Sequence, residues 1–134
     1  MLENFVKQIM ENFSFYKESW NYEDGCIYTG IMDMYNATGD EKYYEFVFGN
    51  VAKWIGKDGK IKNYEVSEYN IDNLNSGKVL FPIYDRTKAK KYETAIKELY
   101  GQVKTHPRTA GKNFWHKKIY PNQVWLDGLY MGLP

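Results

Sequence analysis

Cysteine is almost missing from this chain: Cys26 stands alone among 134 residues. A single thiol excludes an intrachain disulfide and a zinc box, and it makes a reducing compartment, the cytoplasm, the expected setting. Charge of one sign is missing too, because 18 basic and 17 acidic side chains leave a formal net charge of +1. That leaves no electrostatic case for nucleic acid or for an acidic membrane surface. No stretch approaches the roughly 18 uninterrupted apolar residues of a membrane span. The opening MLENFVKQIMENF mixes charges into its apolar residues from the third position, unlike a secretory leader. The two histidines, His106 and His116, show neither HxxxH nor HExxH spacing, so no metal or other cofactor is expected.

Aromatic residues are what the chain has in excess, with thirteen Tyr, seven Phe and four Trp. Rings with polar edges suit sugar and small-molecule clefts, because they bury area and still offer a hydrogen bond; a helical core filled with Tyr and Phe is the other use of the same composition, and composition alone slightly favours it. With 43% hydrophobic and 26% charged residues, one globular domain over 1–134 is expected.

Apolar spacing predicts an all-α chain. Leu2, Phe5, Val6, Ile9, Met10 and Phe13 fall on one helical face. A second helix starts near Asn21 and stops at Gly39; Asp40 caps a third, whose stripe runs to Ile55. Lys57-Asp58-Gly59-Lys60 reads as a turn, and a fourth helix begins at Asn70. A fifth carries Tyr92, Ala95, Ile96, Leu99 and Val103 and is closed by Pro107, and Pro121 is placed to open a sixth.

Beneath the helices lies a repeat of about fifty residues. Thr38 to Tyr43 and Thr87 to Tyr92 precede the third and fifth helices, while Asp24, Asp72 and Asp127 lie near the starts of the second, fourth and sixth. Helical hairpins stacked in a ring would bring these three carboxylates to one mouth; an open solenoid would spread them along a groove. Each Asp could equally be a cap or a partner of the helix dipole, an explanation weaker for Asp127 if Pro121 places it in the second turn.

The densest segment, Phe114 to Pro134, sets Asp127 among Trp115, His116, Tyr120, Trp125 and Tyr130. A carboxylate between aromatic walls loses hydration, which favours its neutral form and proton donation. Cys26 reads as a small core residue, since no base accompanies it. His106 reads as a helix-end residue, and Arg108 as a ligand for a carboxylate or the brace of its loop.

With WNYEDG (Trp20 to Gly25), TGDEKYY (Thr38 to Tyr44), NIDNLNSGK (Asn70 to Lys78), HPRT (His106 to Thr109), FWHK (Phe114 to Lys117) and YPNQVWLDGLYM (Tyr120 to Met131), the chain resembles glycoside hydrolase family 105. These are the unsaturated rhamnogalacturonyl hydrolases, related to the unsaturated glucuronyl hydrolases of family 88. The resemblance implies an (α/α)6 barrel of six hairpins, of which this chain would supply the N-terminal portion, ending in the third inner helix. It departs from the family at Asp72-Asn73, where two acidic residues are usual. The implied substrate is a pectin fragment ending in an unsaturated uronic acid. Its C4=C5 bond is protonated at C4 and hydrated at C5, and the hemiketal then rearranges to release the neighbouring rhamnose. Carried over by position, Asp127 is the general acid and base, Asp72 the second carboxylate, and His116, Trp125 and Tyr22 substrate contacts. An incomplete ring leaves an apolar edge, covered either by the rest of a longer enzyme or by self-association of chains. A non-catalytic helical-repeat fragment and a carbohydrate-binding module are the competing readings.

Overall fold

The computed structural model describes residues 1–132, so Leu133 and Pro134, the end of the aromatic-rich segment, lie outside the described residues. Among the described residues six α-helices and two 3-10 elements follow one another: α1 Leu2–Glu11, α2 Tyr22–Thr38, α3 Glu41–Val51, a 3-10 turn Val66–Glu68, a 3-10 segment Ile71–Val79, α4 Leu80–Thr87, α5 Lys90–Thr105 and α6 Asp127–Gly132. Gly39 closes α2 in the left-handed region at φ 69°, its N–H returning to Tyr35. Asp40 starts α3 by accepting a hydrogen bond from the Lys42 amide.

Local packing moves three boundaries from their expected places. Helix α3 stops at Val51, because Lys53 and Trp54 bond back to Asn50 and Val51 in a tightened last turn, although Trp54 and Ile55 stay buried. The fourth element opens as nine 3-10 residues before α4 takes over. The Trp20 indole donates to the Asn73 carbonyl at 2.8 Å, occupying an acceptor that an α-helix would use internally. Pro121 does not open the sixth helix. Asn122 lies at φ 60°, where a right-handed helix cannot continue, and α6 starts at Asp127 itself.

The three elements that carry Asp24, Asp72 and Asp127 near their starts lie side by side. α2 packs on the 3-10 segment, and that segment packs on α6. Tyr28 and Ile31 of α2, Val47 and Val51 of α3, Leu80 and Ile83 of α4, and Tyr92 and Ala95 of α5 form the buried core. Much of the aromatic excess goes here, as in the edge-to-face contacts of Phe13 with Phe46 at 5.3 Å and of Phe15 with Trp54 at 5.1 Å. Beside α4 and α5 an apolar groove of about 710 Å³ stays open, lined by Leu74, Phe81, Ile96, Tyr100, Val103 and Met131.

Asn21 fixes the start of α2. Its side chain is buried, accepts from the Asp24 amide at 2.9 Å and donates to the Ser19 carbonyl at 2.7 Å. Asn21→Ala is expected to lower the unfolding free energy by about 1–2 kcal/mol, measured by urea denaturation.

Candidate active site

Three segments build the site, and backbone bonds set their register. Asp72 is the second residue of the 3-10 segment, where the Asn70 side chain accepts from its amide at 3.1 Å. Ile71 donates its N–H to the His116 carbonyl at 3.0 Å, and His116 donates its own N–H to Gln123 at 2.7 Å. The loop between α5 and α6 is thereby pinned on both sides of His116, and Asp127 follows at the first position of α6.

His116 stands between two carboxylates. Its Nε2 lies 3.6 Å from Asp72 Oδ2 and its Nδ1 lies 3.8 Å from Asp127 Oδ1. Both separations exceed a hydrogen bond, so these are contacts of charge and reach. The true ion pair is Lys117 Nζ to Asp72 Oδ2 at 2.9 Å. Among the buried polar atoms without a hydrogen-bond partner are two of this site, Asp72 Oδ1 and His116 Nδ1. A buried acceptor left unpaired costs about 1–3 kcal/mol, which a hydroxyl donated by a ligand removes.

The desolvated carboxylate is Asp72 rather than Asp127. The Asp72 side chain is 4% exposed and that of Asp127 is 47% exposed. The expected aromatic walls gather on His116 instead, where the Trp125 ring stacks at 3.9 Å and 6° and Tyr120 lies nearly parallel at 6.4 Å. Trp125 keeps part of its surface in solvent and donates its indole N–H to Gln123 Oε1 at 3.0 Å. A small cleft of about 220 Å³ lies against His116, Trp125, Phe114 and Arg108. Tyr22 opens α2 on the same side. The Glu23 charge, partial burial and the Asp72 charge push its phenol above the usual range, and Lys117 and Lys17 oppose them.

Four other residues serve the surrounding structure. Asp24 does not join the mouth, because its carboxylate accepts from the Tyr16 amide at 3.0 Å and from Asn21 Nδ2 at 2.8 Å. It braces the chain entering α2. Cys26 is exposed rather than core, with the Asn75 amide directed at its sulfur at 3.5 Å. Arg108 braces its loop through the Lys112 carbonyl at 2.9 Å and by stacking on Phe114, with the guanidinium 3.8 Å from the ring centre. His106 ends α5 and is buried.

Lys117 is the site residue that sequence reasoning passed over. Its one signal in the sequence is that it adjoins His116; the pairing with the buried Asp72 carboxylate comes from the fold. Asp72, His116 and Asp127 offer one nitrogen and two oxygens within 4.8 Å of one another, a set that a divalent ion could use. The Lys117 ammonium already balances Asp72, so the arrangement fits proton transfer and hydroxyl binding better than a cation.

Comparison with known proteins identifies the family and the fold. The family model described as Glycosyl Hydrolase Family 88 matches residues 1–134. The fold is similar to a glycoside hydrolase of family 105 from C. acetobutylicum ATCC 824, with a TM-score of 0.88 and 42% sequence identity. The match covers 96% of this chain and 36% of that one, so the chain spans about a third of the related protein. Its hairpins are those of part of an (α/α)6 barrel, and the chain belongs to Glycosyl Hydrolase Family 88.

Proposed function

We propose that this chain carries the proton-transfer centre of a glycosidase acting on unsaturated rhamnogalacturonan oligosaccharides from pectin breakdown. The reading rests chiefly on one observation: a buried carboxylate with an unpaired oxygen, Asp72, lies across a single imidazole from a solvent-reaching carboxylate, Asp127. Asp127 gives its proton to C4 of the terminal unsaturated uronic acid. As the anion, it then takes a proton from the water that adds at C5. The C5 hemiketal opens to a ketone, and the hemiacetal at C1 releases the neighbouring rhamnose. Asp72, held by Lys117, accepts a sugar hydroxyl on Oδ1. His116, Trp125 and Tyr22 line the unsaturated ring. No carboxylate attacks the anomeric carbon, so the spacing rule for retaining and inverting pairs does not apply.

Conversion consumes the conjugated C4=C5 bond, and its near-ultraviolet absorbance reports the reaction directly. Folded wild-type chain mixed with unsaturated rhamnogalacturonan disaccharide is expected to extinguish that absorbance. If the signal persists both for this chain and for a version extended to full barrel length, the proposed reaction is wrong. A binding module would hold the sugar and leave the absorbance intact.

A further inference from the structure

Behind the site, one buried amide reaches both of its halves. Gln102 lies near the end of α5 and is fully buried. Its oxygen accepts from the Tyr64 hydroxyl. Its nitrogen carries two hydrogens, one directed at the Asn70 carbonyl at 2.9 Å and the other at His106 Nδ1 at 3.3 Å. An Nδ1 that accepts leaves the ring proton on Nε2, which donates to the Trp115 carbonyl at 2.7 Å. Burial pushes His106 below its usual range and so favours the neutral ring that this chain of bonds requires. Both ends of the network adjoin the site: the Asn70 side chain accepts from the Asp72 amide, and Trp115 directly precedes His116.

We propose that Gln102 is a positioning residue that sets the separation of Asp72 from His116, acting through Asn70 on one side and through His106 and Trp115 on the other. The proposal rests on the reaction given above. Directional donors distinguish this role from packing. A methionine fills similar space and supplies no donor, and a glutamate presents acceptors where the Asn70 carbonyl and His106 Nδ1 need hydrogens.

The test uses the whole chain labelled with 15N at histidine, with helical circular dichroism as the check on folding. Gln102→Met is expected to move the His116 imidazole resonances and to weaken binding of unsaturated rhamnogalacturonan disaccharide by about tenfold or more. His106→Phe should do the same. His106→Gln, which keeps a donor for the Trp115 carbonyl, should leave the His116 signals and the affinity near wild type. Folded Gln102→Met with unmoved His116 resonances overturns the proposal, as does His106→Phe with the same result. If Gln102→Met does not fold, the two His106 variants decide the matter. A wild-type chain that binds no disaccharide refutes the substrate reading alone, because the His116 resonances still report on positioning.

Discussion

Asp127→Asn is expected to slow loss of the unsaturated bond by about 10³-fold, the range set by removal of a general acid and base. The amide keeps the size of the carboxyl group and cannot exchange a proton with carbon or water. Because the Asp127 side chain is 47% exposed at the first position of a six-residue helix, the change disturbs little packing. Disaccharide affinity and thermal stability should therefore stay near wild type while turnover collapses. A residual rate within about tenfold of wild type would move the acid to another residue. Asp72→Asn should behave differently: it leaves Lys117 without its carboxylate, so binding and stability fall along with rate.

The second large effect is structural. Gly25 lies where α2 crosses the 3-10 segment, and a Cβ there would come within 2.8 Å of the Ser76 Cα and closer still to its side chain. The Ser76 hydroxyl is already committed to the Asn21 carbonyl. Gly25→Ala must push the two segments apart, break that bond, or both, at a cost of about 3 kcal/mol or more. Gly30, five residues further along α2 and on another face, has open space beyond it, and Gly30→Ala should stabilise by about 0.5–1 kcal/mol. Urea denaturation of the two variants side by side separates close approach from helix propensity. Equal effects at the two positions would show that the crossing tolerates a methyl group.

The helices were legible where sequence punctuation is local. Gly39, Asp40 and Pro107 mark boundaries through their own backbone chemistry, and the apolar stripes of α1, α2 and α5 need no tertiary partner to be seen. Asp72 and Asp127 stand out because a carboxylate recurs near the start of each even-numbered element. The rest depends on partners distant in sequence. The 3-10 segment exists beside an indole 53 residues earlier, and nothing local announces it. The role of Asp24 as a brace is set by a backbone amide eight residues upstream. The left-handed Asn122, which delays the last helix, belongs to a turn that brings Gln123 to the His116 amide. Pro121 gave a helix signal that this turn overrode, and Lys117 takes its role from an ion pair with Asp72, a residue distant in sequence.

The hydrogen bond that the Ile71 N–H donates to the His116 carbonyl joins the segment bearing the buried acid to the loop bearing the imidazole. Its proton therefore serves as a reporter of assembly. Hydrogen–deuterium exchange at Ile71 measures how often the loop lifts away, with no sugar present and no turnover required. Slow exchange there would mark a centre that is preassembled before any sugar arrives.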